Sequence, residues 1–177
     1  QYYKVHGYVV EYGGMPGDTP TEPLLTGRVT INYLKCDSCG DVHILTPDGL
    51  KYDFQSTGAF LAFQSADKQV IVQARQETSP INASVSLNTA LALWVAGDKI
   101  EFYVKSDSAY YLNGVAAPLP TAIETLPNQG TIEPIGSEER PQFIISWPNG
   151  TFAALVHLYP DSHLDYGIAA GEGSQTT

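Results

Sequence analysis

Apolar and polar residues alternate in short runs along this chain, and Gly, Pro and Asn interrupt the runs. A period of two is the spacing of a strand with one buried face. It predicts strands over residues 3–12, 28–34, 43–46, 51–55, 59–64, 69–77, 83–94 and 99–105. In the second of these, Val29, Ile31 and Tyr33 share one face. No segment combines apolar residues at helical spacing with a cap in front and a Gly behind. Residues 83–96 come closest, yet Val85, Leu87, Leu91, Leu93 and Val95 fit period two better.

Two turns punctuate the second half. Asn113-Gly114 sits between Tyr110-Tyr111-Leu112 and Val115, and both turn residues tolerate positive φ, the requirement of a tight hairpin. Pro148-Asn149-Gly150 separates the alternating stretches 143–147 and 152–159, which predicts a second hairpin with those stretches as partners. The proline-rich stretch 118–141 reads as a loop with at most one short strand near 131–135. The pattern as a whole predicts an all-β fold, an antiparallel β-sandwich or barrel with an extra N-terminal strand.

The organisation expected is one domain over residues 1–177. The Gly/Pro-rich loop at 13–23 is the only candidate boundary, and a lone strand before it is too small to fold alone. Residues 1–35 are therefore expected as an N-terminal extension that joins the main sheet. Residues 169–177 end in Gly, Ser and Thr without an apolar anchor and are expected as a flexible tail.

Composition narrows the function. Hydrophobic residues make up 43% of the 177, so a packed core is affordable in size, while charged residues are only 16%. Eleven tyrosines then cover much of the surface, and their amphipathic rings suit strands and contact faces. The net charge of −10 repels phosphate backbones and anionic membranes, which argues against nucleic-acid binding. No apolar run reaches the length of a membrane-spanning helix. The chain begins at Gln1 rather than Met, which leads us to expect an upstream signal peptide and an extracellular, secreted protein. Two sequons, Asn82-Ala83-Ser84 and Asn149-Gly150-Thr151, fit that route as glycosylation acceptors.

The stretch from Cys39 through Gly40-Asp41-Val42-His43 and Thr46-Pro47-Asp48-Gly49 to Tyr52-Asp53-Phe54 resembles the opening signature of the von Willebrand factor type D (VWD) module. Gly58-Ala59-Phe60-Leu61, the strand 100–104, Leu112-Asn113-Gly114-Val115 and Leu119-Pro120 follow that family's order, and 143–158 is similar to its last hairpin. The resemblance spans about residues 36–168, with Val42 and Pro47 in place of the family's Pro and Phe. It implies a non-enzymatic extracellular module that associates with itself or binds matrix. It also implies calcium, with Asp48 as one ligand. The family's closing Cys and Asn and its acidic run have no counterpart at 167–173, and only two cysteines are present where relatives carry several disulfides. Independently of any family, Asp48-Gly49 encodes a turn, and Tyr52 and Phe54 fall on one face of the next strand as core anchors.

Several side-chain groups invite chemistry. Cys36 and Cys39 form a C-x-x-C without the second pair that zinc requires, so in a secreted chain they are expected as a local disulfide. Asp161, His163 and Asp165 lie at alternate positions and would share one strand face, a metal patch with Asp48 or Asp41 nearby. His157, amid Leu155, Val156 and Leu158, reads as a satisfied sheet histidine. No nucleophile elbow, H-E-x-x-H or phosphate-binding glycine loop occurs. Two functions compete. The first is the interaction module. The second is a carrier for a small apolar ligand such as a lipid or pigment, with Trp94, Trp147, Phe143, Phe152, Tyr110 and Tyr111 lining the cavity. A glycan hydrolase ranks behind both.

Overall fold

The computed structural model describes residues 42–45, 51–65, 68–147 and 152–170. All regular structure among them is strand, as the alternation predicts. The predicted strands at 3–12 and 28–34, and with them the extra N-terminal strand, lie outside the described residues. So do the loop at 13–23 and the tail beyond 170.

Thirteen strands are described. They are β1 (His43–Leu45), β2 (Lys51–Asp53), β3 (Gly58–Gln64), β4 (Val70–Thr78), β5 (Ser86–Val95), β6 (Asp98–Tyr103), β7 (Tyr110–Leu112), β8 (Val115–Ala117), β9 (Glu124–Thr125), β10 (Thr131–Pro134), β11 (Gln142–Ser146), β12 (Phe152–Tyr159) and β13 (His163–Ala170). β3 to β8 form a six-stranded sheet in sequence order, and β9 to β13 form a five-stranded one, also in order. Every pairing is antiparallel, so each sheet is a meander of neighbours in sequence. The β1–β2 hairpin is a third, two-stranded sheet.

The sheets face each other across an aromatic core. In β4, Val70, Val72 and Ala74 turn inward while Ile71, Gln73 and Arg75 turn outward. Leu91, Leu93 and Val95 of β5 and Ile100 and Phe102 of β6 continue that inner face. The opposite sheet supplies Ile132, Phe143, Ile145, Phe152, Val156 and Leu164. Phe102 stacks on Phe143 at 5.4 Å between centroids, and Phe63 lies 6.4 Å from Phe152. These two ring pairs each join one sheet to the other, which makes the fold a β-sandwich.

Local sequence explains the joints. The Asn113-Gly114 turn has φ of 51° and 81°, as a tight hairpin demands, and pairs Leu112 with Val115. The β5–β6 turn uses Ala96 and Gly97 in the same way, with φ of 51° and 92°. Ala is a poor resident of that region, so this turn carries no sequence signal. Gly130 is fixed by space: a Cβ there would stand 2.6 Å from Trp147 Cε2 and 2.9 Å from Leu126 Cδ1. The stretch 118–141 holds the expected strand at 131–134 and one more, the two-residue β9. Both residues of β9 are exposed, so no alternation marks it.

The motif segment docks at one side. Ile44, Tyr52 and Phe54 pack against the core, and Phe54 meets Phe60 edge-on at 4.8 Å. The Ser86 amide donates to Gln55 Oε1 at 2.6 Å, tying the segment after β2 to the start of β5. Tyr52 and Phe54 therefore act as the anchors their spacing predicts.

Candidate functional site

Two outward faces carry the side chains with chemistry. The first is the outer face of the five-stranded sheet. Register places His157 opposite Asp165, Tyr159 opposite His163, and Gln142 opposite His157. The rings form a short stack: His157 and Tyr159 are 4.1 Å apart, and Tyr159 and His163 are 4.2 Å apart and nearly parallel at 11°. All five side chains are half-buried. Gln142 Nε2 lies 3.3 Å from His157 Nε2, a bond that a neutral imidazole with its proton on Nδ1 can accept. Ser162 Oγ lies 2.8 Å from His163 Nδ1.

Burial sets the charge state here. It holds both imidazoles below the ordinary histidine range, and the Asp165 carboxylate only partly offsets it. Arg140 and His163 push His157 further down. Burial pushes the Asp165 carboxyl up, against the pull of His163, His157 and a hydrogen bond from Tyr159. The cluster is a neutral-imidazole site with a reluctant carboxylate. Ser162 and His163 resemble the first half of a nucleophile–base pair. His163 Nε2, however, is buried with no hydrogen-bond partner, and Asp165 bonds to Tyr159 instead. The carboxylate that would orient the base is thus engaged elsewhere.

Of the predicted metal residues, the fold brings His163 and Asp165 to one face of β13, as alternation requires. Asp161 sits in the β12–β13 turn with φ of 60°, exposed and outside that alternation. Asp41 and Asp48 lie outside the described residues, as do Cys36, Cys39 and Asn149. Among the described residues no three His, Cys, Asp or Glu side chains converge on a point that could hold a metal ion.

The aromatic residues divide. Trp147, Phe143, Phe152 and Tyr110 are buried in the core, where Trp147 and Phe152 lie 6.0 Å apart and Phe102 and Tyr110 5.5 Å. Burial raises the Tyr110 hydroxyl to about 12, with help from Glu124 and Asp98. Trp94 and Tyr111 instead occupy the second outward face, that of the six-stranded sheet. Trp94 is 48% exposed on a central strand, with Ile71 and Lys99 as cross-strand neighbours. The next row holds Gln73, Ala92, Glu101 and Tyr111.

The third row is closed over. Arg75 pairs across the sheet with Ala90, and Ala90 with Tyr103. The Arg75 guanidinium reaches over Ala90 to stand 5.7 Å from the Tyr103 ring. This covers Ala90, which is buried although it faces outward. Thr89 occupies the shift in register beside Arg75 and takes a bond from its Nε at 3.4 Å. Tyr103 donates to Glu101 at 3.0 Å and meets Tyr111 edge-on at 5.5 Å, and Glu101 also holds Lys99 at 3.0 Å. Sequence reasoning missed Arg75, Glu101 and Tyr103 because their convergence depends on register across three strands.

No family model matches the chain, and no curated protein does.

Proposed function

We propose that the chain is a secreted, non-enzymatic binding module that meets its partner on a sheet surface rather than within its interior. The supporting observation is the division of its aromatic side chains. Phe143, Phe152, Tyr110 and Trp147 fill the space between the sheets, while Trp94 stands in water on a central strand. A carrier of a small apolar ligand needs a lined cavity, whereas these rings pack on core neighbours, Phe143 and Tyr110 on Phe102 and Trp147 on Phe152. A large aromatic left on a flat face is the kind of anchor a binding surface uses.

Secretion draws support from the β4–β5 loop. Asn82 and Ser84 are both exposed there, so the sequon is open to a glycan. The type D kinship rests on the motif residues, and calcium rests on that kinship, through Asp48 and Asp41.

Native against denaturing mass spectrometry on protein from its natural source tests the reading. The expected native mass carries no organic molecule beyond the polypeptide and any covalent glycan. A stoichiometric lipid or pigment in the native mass sinks the surface reading in favour of the carrier. An excess of calcium alone restores the metal that the type D resemblance implies.

A further inference from the structure

We propose that the outer face of the six-stranded sheet is a binding site for an uncharged saccharide, seated over Ala92 between Trp94 and the Arg75–Tyr103 bridge. The proposal rests on the surface-binding reading above and names the ligand class that surface would take.

The shape comes first. Along β5 the outward residues are Trp94, Ala92 and Ala90, with rows about 7 Å apart. Trp94 rises at one end, and the Arg75 guanidinium on the Tyr103 ring rises at the other. Ala92 between them has the smallest side chain a strand can carry short of Gly. Its cross-strand neighbours are Gln73 on one side and Glu101 on the other. The result is a shallow depression about two rows long, the span of one sugar ring, with an aromatic wall and polar flanks.

The chemistry comes second. A pyranose presents an apolar face of C–H bonds and an equatorial belt of hydroxyls. Trp94 offers a partly exposed indole for the apolar face. Glu101 accepts, Lys99 donates, and Gln73 does both, which is what hydroxyls require. The polar groups are held in place beforehand: Glu101 is fixed by Lys99 at 3.0 Å and by Tyr103 at 3.0 Å. Ordering them costs little when a ligand arrives.

Charge decides among the occupants. The face holds Arg75, Lys99 and Lys105 against Glu77 and Glu101, and these pair with one another at 3.0 to 3.9 Å. It is close to neutral by itself, in a chain of net charge −10. An acidic polymer is repelled by the whole molecule. A second copy brings its own −10 and is repelled likewise. A basic partner finds both carboxylates of this face already held by its own cations. An uncharged polyol with an apolar side suffers none of these penalties.

The test is titration of the intact chain with cellotetraose, chitotetraose and mannotetraose, with hyaluronan tetrasaccharide as the acidic comparison. Trp147 is buried, so iodide-quenchable emission reports Trp94. At least one neutral oligosaccharide is expected to bind in the millimolar range or tighter and to shield Trp94 from iodide. Trp94→Ala and Gln73→Ala are each expected to weaken it by about tenfold with thermal stability retained, since both residues are exposed. Absence of binding by all three neutral sugars overturns the proposal. So does hyaluronan binding as tightly as the neutral sugars, or a dimer that Trp94→Ala abolishes. Those results leave the surface-module reading standing, because that reading falls only to a ligand found inside the native protein.

Discussion

Asp98 is the residue on which the two sheets are tied at one end. It has no exposed surface, a costly place for a carboxylate unless its oxygens are occupied. They are: the Asn128 amide donates at 2.9 Å, and its side chain donates at 3.0 Å. Asn113 Nδ2 adds a longer contact at 3.5 Å. Asn128 belongs to the turn that leads into β10, and Asp98 opens β6, so the bonds cross from one sheet to the other. Removing the acceptor frees both Asn128 donors, and because Asn128 is itself exposed, water can take part of the carboxylate's place. Asp98→Ala is therefore expected to cost about 1.5 kcal/mol in chemical denaturation, and Asp98→Asn, which keeps one acceptor, roughly half as much. A loss below 0.5 kcal/mol for the alanine variant, in the range of an ordinary surface change, would show that the tie carries no weight. Nothing in the alternation of the sequence marks this aspartate, because its partner lies thirty residues away.

The β12–β13 hairpin is the element with a pH response. His157 and His163 titrate lower in the folded chain than in an unfolded one, where the ordinary value is 6.5. The unfolded state therefore binds more protons just below that value. Stability is full above pH 6.5 and falls as the pH drops through the depressed folded values. Asp165 works the other way: its carboxyl is raised from 3.8, so protonation returns stability as the pH approaches that value from above. Urea midpoints are expected to fall between pH 7.5 and pH 5.5. In a His157→Gln, His163→Gln variant the fall should shrink. An equal fall in both proteins would place the acid sensitivity elsewhere. The sequence shows half of this cluster. Alternation puts His163 and Asp165 on one face, but it cannot give the register that sets Tyr159 and His157 beside them. On the other sheet, alternation sets Trp94 on the face opposite Leu93 and Val95, but only the structure shows that its face is open, with Trp94 48% exposed.

At the scale of the molecule, each sheet is a meander whose strands pair with their sequence neighbours. That is why an all-β fold is legible from local alternation and turns: Asn113-Gly114 and the inward Val70, Val72 and Leu91, Leu93 sets need no distant information. The face-to-face packing of the sheets does need it. Meanders of this kind could unfold separately, since few backbone bonds join them. Aromatic pairs oppose that. Phe143 stacks on Phe102 from the other sheet, both fully buried, and Phe102 in turn meets Tyr110. Truncating Phe143 removes ring contact from both sheets at once. Phe143→Ala is expected to cost about 4 kcal/mol. The sharper expectation concerns where the loss is felt. Amide exchange should quicken by a similar factor in β4–β6 and in β11–β12, because both belong to one cooperative unit. Protection retained in β4–β6 while β11–β12 exchanges freely would mean the six-stranded sheet folds alone, with the second sheet docked on it. The sandwich would then be two units held at Asp98 and the ring pairs, and the outer face around Trp94 would survive on the larger unit without its partner.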